Sequence, residues 1–490
     1  MTNSDTKTQA ISLARVISVL AGPLLFAILL LTPTPEAFTP EAWRLVAVAA
    51  WMIVWWMTEA APVPVTALLP IPLFPIVDIA NQKAVASSYG HPLIFLFLGG
   101  FIIAAAMQRW GLHKRIALFV VSLTSNSGAS IIGGFMVATA FLSMWISNTA
   151  TTLMMFTVGI SLIEFIGEKI KDEKQVRRFG IALMLGIAYS ASIGGVATLI
   201  GTPPNTLLAS FLTDTYDIHI DFATWMILGV PIVIIMLPIA WVLLCKVLFP
   251  VGQLDMGDAG DMVKKELAEM GPMSRGERTV MIIFGATVVL WITRKWLVAA
   301  TGLSITDTTI ALVAASLLFV IPVSLQKGEW TVEWTATKNV PWGVLILFGG
   351  GLALAAAFKS TGLAAAIGTL VGELGHLDIA LIILVTIVSI VFLTEITSNI
   401  ATTATFLPIL AAVSLGLGFD AMVLAIPVAL AASMAFMMPV ATPPNAIVFS
   451  YEGMSIQDMV KAGIWLNIIA IGVIYLAVMT LAPAVFDLAL

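Results

Sequence analysis

The chain has 490 residues, of which 60% are hydrophobic and only 10% charged, with a formal net charge of −5. A soluble domain carries about 25% charged residues, so water is excluded as the solvent for most of this surface. There is no basic stripe for nucleic acid, and the single cysteine, Cys245, rules out an intramolecular disulfide and reads as a buried, inert thiol.

In chain order, apolar runs long enough to cross a bilayer lie near 15–31, 43–58, 62–78, 92–110, 181–205, 222–248, 277–296, 307–325, 342–360, 420–448 and 460–485, about eleven spans at roughly 20 residues each. The first run lacks a cleavage site and reads as a span rather than a signal peptide. Runs of this length exclude a β-barrel. Two further stretches, 130–163 and 378–415, are each broken in the middle by a polar cluster. That pattern predicts pairs of helices that enter the membrane, turn, and leave on the same side.

Lysine and arginine set the orientation. Arg109, Lys114 and Arg115, then Lys169, Lys171, Lys174, Arg177 and Arg178, then Lys246, Lys264, Lys265, Arg275 and Arg278 all fall on one side with the N-terminus. The opposite loop, Asp214 to Asp221, is acidic; Arg294-Lys295 on that side is the main conflict. The N-terminus is therefore expected in the cytoplasm and the C-terminus outside. Met256 to Met270 reads as an interfacial amphipathic segment, and the tryptophans, such as Trp51, Trp55 and Trp56, as interface or packing residues.

The two halves align at an offset of 251 residues. Gly99-Gly100 falls on Gly350-Gly351, Gly111-Leu112 on Gly362-Leu363, Ser147-Asn148 on Ser398-Asn399, and Ala150-Thr151-Thr152 on Ala401-Thr402-Thr403. A second motif, Thr202-Pro203-Pro204-Asn205, recurs as Thr442-Pro443-Pro444-Asn445 at an offset of 240. An even number of crossings between the copies makes the repeat inverted, the architecture of secondary transporters, with the site at the midplane.

Non-helical backbone at membrane depth is tolerated only where it is buried or lines a cavity. At the tips, Ser and Asn are good N-caps for the returning half-helix. The free N–H groups there suit an anionic oxygen, and the carbonyls ending the preceding half-helix suit a hard cation such as sodium. At the Thr-Pro-Pro-Asn motifs, proline removes donors and pushes the preceding residue out of the helix. The other reading of that motif is a plain kink, recapped by Thr and Asn. No Lys or Arg falls in the tips or breaks. A dianion there needs its charge offset by bound cations; a neutral polar substrate would not.

Other candidates read as structural. Glu395, just before the second tip, reads as a cap for neighbouring backbone, with proton coupling as the alternative; Glu59 reads likewise. His113, beside Lys114 and Arg115, reads as solvated in a loop. The histidines and the cysteine lack metal-ligand spacing. No Walker motif, nucleophile elbow or HExxH is present, so pumping by ATP or hydrolysis has no visible machinery. A passive anion channel is the competing class.

The paired Ser-Asn tips and Thr-Pro-Pro-Asn breaks, in this order over nearly the whole chain, resemble the divalent anion:sodium symporter family. The resemblance implies an all-α polytopic homodimer of eleven-span protomers in a lipid bilayer, with elevator-type movement. It implies scaffold helices at 1–128 and 251–375, and a transport domain at 129–250 and 376–490. It also implies carriage of di- or tricarboxylates coupled to sodium across a bacterial inner membrane. One sodium site would use Ser143, Ser147, Asn148 and the backbone at Gly201; the other Thr394, Thr397, Asn399 and the backbone at Ala441. Substrate carboxylates would meet Ser147, Asn148, Thr149, Thr202, Ser398, Asn399 and Thr442. Ile400 departs from the family's usual Thr. C4-dicarboxylates are the expected substrates, with citrate, sulfate and sodium-independent exchange as alternatives within the family.

Overall fold

The architecture comes from a computed structural model, which describes residues 13–125, 127–170, 172–251, 259–372 and 378–490. Lys171, the start of the amphipathic segment at Met256, the chain's first residues and the expected boundary at 375 and 376 lie outside the described residues.

The described chain is helical, apart from one short antiparallel pair, β1 (Pro322–Ser324) and β2 (Glu329–Trp330). The N-terminal helices are α1 (Leu13–Leu31), α2 (Pro40–Thr58), α3 (Val63–Thr66), α4 (Pro70–Ile76), α5 (Gln82–Ser88), α6 (Pro92–Arg109) and α7 (Leu112–Ser122). Next come α8 (Gly128–Ser143), α9 (Asn148–Lys169), α10 (Glu173–Gly195), α11 (Pro203–Tyr216), α12 (Phe222–Val242), α13 (Ala259–Glu269) and α14 (Arg275–Thr301). The rest comprises α15 (Asp307–Val320), α16 (Trp342–Ser360), α17 (Leu363–Gly372), α18 (Ile379–Leu393), α19 (Asn399–Gly416), α20 (Met422–Ala432), α21 (Pro443–Phe449), α22 (Ile456–Leu476) and α23 (Ala482–Phe486).

Among the described residues, eight helices are long and apolar enough to cross a membrane, and six shorter apolar helices accompany them. The run read as one span at 62–78 is two short helices, because prolines at 62, 64, 70, 72 and 75 interrupt it. The run at 307–325 stops at Val320, where the chain turns into β1. Helix starts follow the capping rules: Thr39, Ser127, Asp172 and Asp221 each accept a backbone N–H through the side chain.

At the centre lies α10, buried at every residue from Phe179 to Gly195. It packs on α8, α9, α12 and α21. Small residues permit this: a Cβ at Gly194 would run into the Ala140 backbone of α8. Cys245 is buried as expected. Trp56 is buried with its indole donating to Val63 O (3.2 Å), and Trp55 donates to Val19 O (3.0 Å). Glu59 ends α2 in the left-handed region (φ 48°).

His113 is not solvated in a loop: it is half-buried in the first turn of α7, its Nδ1 3.0 Å from Met107 O, and burial pushes its pKa below the ordinary histidine value. Arg294 pairs with Asp307 (2.8 Å) and Lys295 with Asp221 (2.9 Å). Arg115 grips Glu277 at the start of α14, Nε to Oε1 at 2.8 Å and Nη2 to Oε2 at 3.3 Å, with the two side chains 15% and 5% exposed. Arg115→Ala leaves the Glu277 carboxylate without its cation, held by the Ser274 N–H (2.7 Å), and is expected to lower stability by roughly 3 kcal/mol, read as a drop in melting temperature in detergent.

Candidate functional site

Two helix–turn–helix tips and two broken helices meet at one cavity of about 470 Å³. The first tip joins α8 to α9. Ser147 is the N-cap of α9 (φ −54°, ψ 141°), and its Oγ accepts Ala150 N–H at 3.3 Å. The second joins α18 to α19, with Ser398 at the N-cap (φ −64°, ψ 135°) and no capping bond from its side chain. Both helices begin at the cavity, so their unbonded N–H groups and positive dipole ends face it.

Behind each tip lies a hydroxyl–amide pair. Ser143 Oγ donates to Ala191 O (2.7 Å) and lies 2.5 Å from the Asn148 carboxamide. That carboxamide fits its surroundings with Nδ2 turned toward Ala191 O (3.1 Å) and Gly201 O (3.3 Å). In the second half, Thr394 Oγ1 lies within hydrogen-bond distance of both Ala432 O (3.0 Å) and Asn399 Oδ1 (2.8 Å). Thr397 Oγ1 donates to Leu393 O (2.9 Å) and lies 2.6 Å from Thr402 Oγ1. Ser143 and Thr394 are fully buried.

The broken helices open N-terminal to their prolines. Between α10 and α11, and between α20 and α21, the backbone is non-helical up to Thr202 and Thr442, both extended (φ −141°). The motif asparagines close the gap. Asn205 Nδ2 donates to Gly195 O (3.2 Å), Val196 O (3.3 Å) and Thr198 O (2.8 Å); Asn445 Nδ2 donates to Ala435 O (3.2 Å) and Met438 O (3.0 Å). Asn205 therefore caps the end of α10, while Asn445 ties together the loop that follows α20.

The cavity is lined by Ser147, Asn148, Thr149, Gly201, Thr202, Ser398, Asn399, Ala441 and Thr442, with Ile400 alongside. Ser143, Thr394 and Thr397 do not line it; they stand one layer behind. Among the described residues, no charged side chain lines it. Sequence reasoning missed the apolar wall opposite the tips: Phe97 and Phe101 of α6, and Pro341 and Val344 at the start of α16. Phe97 packs edge to face at 5.0 Å on Phe348, its counterpart in the repeat, which does not itself line the cavity.

The two tips differ in what covers them. Trp145 of the first is 7% exposed, stacked on Phe222 (6.1 Å) and Trp291 (6.5 Å) and edge-on to Phe284 (5.5 Å). Its aligned residue Ile396 is 69% exposed. Glu395 next to it is buried and caps backbone of the second break: Phe436 N–H (2.6 Å), Met437 N–H (3.0 Å) and Met438 N–H (3.0 Å) donate to its carboxylate, as does Asn467 Nδ2 (2.7 Å).

Residues 13–487 match the model of the sodium:sulfate symporter transmembrane region. The chain is 40% identical over 492 residues to the sodium-dependent dicarboxylate transporter SdcS of Staphylococcus saprophyticus, covering 99% of this chain and 95% of that one. It is 41% identical over 495 residues to SdcS of Staphylococcus aureus strain USA300, with the same coverage. Two solved transporters share the fold at low identity. The Alcanivorax borkumensis YdaH transporter has a TM-score of 0.51 and 12% identity, covering 96% of this chain and 97% of that one. Neisseria gonorrhoeae MtrF, from a class of antimetabolite efflux pumps, has a TM-score of 0.57 and 13% identity, covering 94% and 97%.

Proposed function

The chain belongs to the sodium:sulfate symporter family, and from that premise we propose that it carries C4-dicarboxylates such as succinate, fumarate and malate into the cell in symport with sodium. The observation that carries this reading is a cavity that presents hydroxyls, amides and two long-helix N-termini but, among the described residues, no charged side chain. A dianion entering it requires cations from solution, and hydroxyl–amide pairs stand directly behind both tips to receive them. The relatives' names, sodium-dependent dicarboxylate transporters, point the same way.

In this reading Ser143, Ser147, Asn148 and Gly201 O hold one sodium, and Thr394, Thr397, Asn399 and Ala441 O the other. Ser147, Asn148, Thr149, Thr202, Ser398, Asn399 and Thr442 take the carboxylates. The helices form eleven spans and two re-entrant hairpins in an inverted repeat, with the N-terminus cytoplasmic and the C-terminus outside a bacterial inner membrane. Residues 129–250 and 376–490 move as a transport domain against a scaffold of 1–128 and 251–375, in a homodimer.

Labelled succinate uptake into proteoliposomes, with and without an inward sodium gradient, tests the central claim. Uptake is expected only with sodium. Sodium-independent uptake driven by internal dicarboxylate would make the protein an exchanger, and no carboxylate uptake would sink the reading. Ile400→Thr adds a hydroxyl to the cavity wall and is expected to shift the preference between succinate and citrate by about fivefold, at a hydrogen bond's worth of about 1 kcal/mol, with the melting temperature unchanged. Competition of each against labelled succinate measures it.

A further inference from the structure

We propose that Glu395 is a positioning residue that shapes the carbonyl lip of the second cation cage, with chemistry the first cage lacks, so that the two cages take up sodium with unequal affinity. This rests on the reading of Gly201 O and Ala441 O as sodium ligands.

The two lips are built along the same path through aligned positions. In the first repeat, Thr198 Oγ1 donates to Met144 O (2.5 Å) and accepts Gly201 N–H (3.1 Å). One neutral hydroxyl thus ties the tip backbone to Gly201. In the second repeat, Glu395 stands where Met144 does, and Met438 where Thr198 does. There Met438 N–H donates to Glu395 Oε2 (3.0 Å), and Ala441 N–H donates to Met438 O (3.2 Å). The pin has moved from a hydroxyl on the loop to a carboxylate on the tip.

Glu395 holds more than its counterpart. Its two oxygens accept three successive backbone N–H groups, 436 to 438, and Asn467 Nδ2 from α22. Tyr189 of α10 holds the same stretch from the other side, its hydroxyl donating to Phe436 O at 2.8 Å. Glu395 is also the chain neighbour of Thr394, which bonds both Asn399 and Ala432 O. One buried side chain, 3% exposed, therefore fixes the second tip, the lip that carries Ala441, and α22 relative to one another. No lysine or arginine is paired with it among the described residues.

Glu395→Gln keeps the shape but replaces one acceptor oxygen with a donor that faces backbone donors. The lip loses its pin on one side while the first cage is untouched. The test is a sodium titration of succinate uptake by the full-length protein in proteoliposomes. For Glu395→Gln the half-saturating sodium concentration is expected to rise about tenfold, the size expected for a lost charged acceptor in a buried network. The Hill slope is expected to fall, and half-saturation by succinate at saturating sodium to stay within about twofold. Asn467→Ala, which leaves the backbone bonds in place, shifts the sodium curve the same way by about threefold, and carries the test if the glutamine variant does not fold. A variant that only lowers the maximal rate, with sodium half-saturation and slope as in the wild type, overturns the proposal and leaves Glu395 a structural cap. Loss of a proton-driven uptake in Glu395→Gln, with the sodium curve unmoved, also overturns it. Absence of sodium dependence in the wild type would instead overturn the proposed function itself.

Discussion

Asn148→Ala and Asn399→Ala are each expected to abolish sodium-dependent succinate uptake, by on the order of a hundredfold or more. Each asparagine is the first residue of a helix that opens on the cavity, and each carboxamide also turns back to the buried hydroxyl behind its tip. Removing Asn148 takes a partner from Ser143 Oγ and from the carbonyls of Ala191 and Gly201 at once, leaving only the bond from Ser143 Oγ to Ala191 O. Each stranded buried group costs about 1–3 kcal/mol, and every 1.4 kcal/mol is tenfold, so losing two contacts reaches that magnitude. The same removal deletes a donor or acceptor from the cavity wall, so the cation and anion sides fail at once. Uptake with and without sodium, on protein shown by size-exclusion to be folded, is the measurement. Sodium-dependent uptake surviving in Asn148→Ala would remove the first tip from the site.

Gly201→Ala is expected to raise the sodium concentration for half-maximal uptake at least about tenfold, where Ala441→Gly has a small effect. The two residues occupy matching positions, yet only one has room for a methyl group. A Cβ at Gly201 would drive into the Gly195 carbonyl and backbone, and a Cβ at Gly195 would in turn meet the Asn148 carboxamide. Overpacking of this kind costs about 1–3 kcal/mol, and relief requires the 195–201 loop to open, which swings Gly201 O away from Asn148. A sodium titration of the two variants side by side checks it. Equal shifts in both, or none in Gly201→Ala, would show that the loop relaxes without moving the carbonyl.

What the sequence made readable was local. A polar Ser-Asn step inside an apolar run announces a helix start, since those side chains serve the backbone groups that a new helix leaves bare. Two consecutive prolines announce a helix that must open just before them. Ser147, Asn148, Thr202, Ser398, Asn399 and Thr442 were visible for these reasons, and the cavity gathers all of them. The parts that could not be read depend on which helices become neighbours. Nothing at Phe97, Phe101 or Val344 sets them apart from other apolar residues; only the placement of α6 and α16 against the tips makes them a wall. Thr397 shows the converse. It sits in the right polar cluster, but its hydroxyl is engaged with Leu393 O and Thr402, behind the cavity surface. The turn at 67–69 was hidden as well, because a hydropathy window passes through it without registering it.

The burial of Cys245 has a practical consequence. It is the chain's single cysteine, and its full enclosure by apolar side chains leaves the folded protein without a thiol for a water-soluble reagent to reach. The natural sequence is thus ready for site-directed labelling with no prior cysteine removal. Ile396→Cys, at the open second tip, is expected to take up one equivalent of a maleimide while the wild type takes up none. Trp145→Cys, at the covered first tip, is expected to label far more slowly. Following both labelling rates as sodium and succinate are added would turn the unequal cover of the two tips into a kinetic record of how each responds to its ligands.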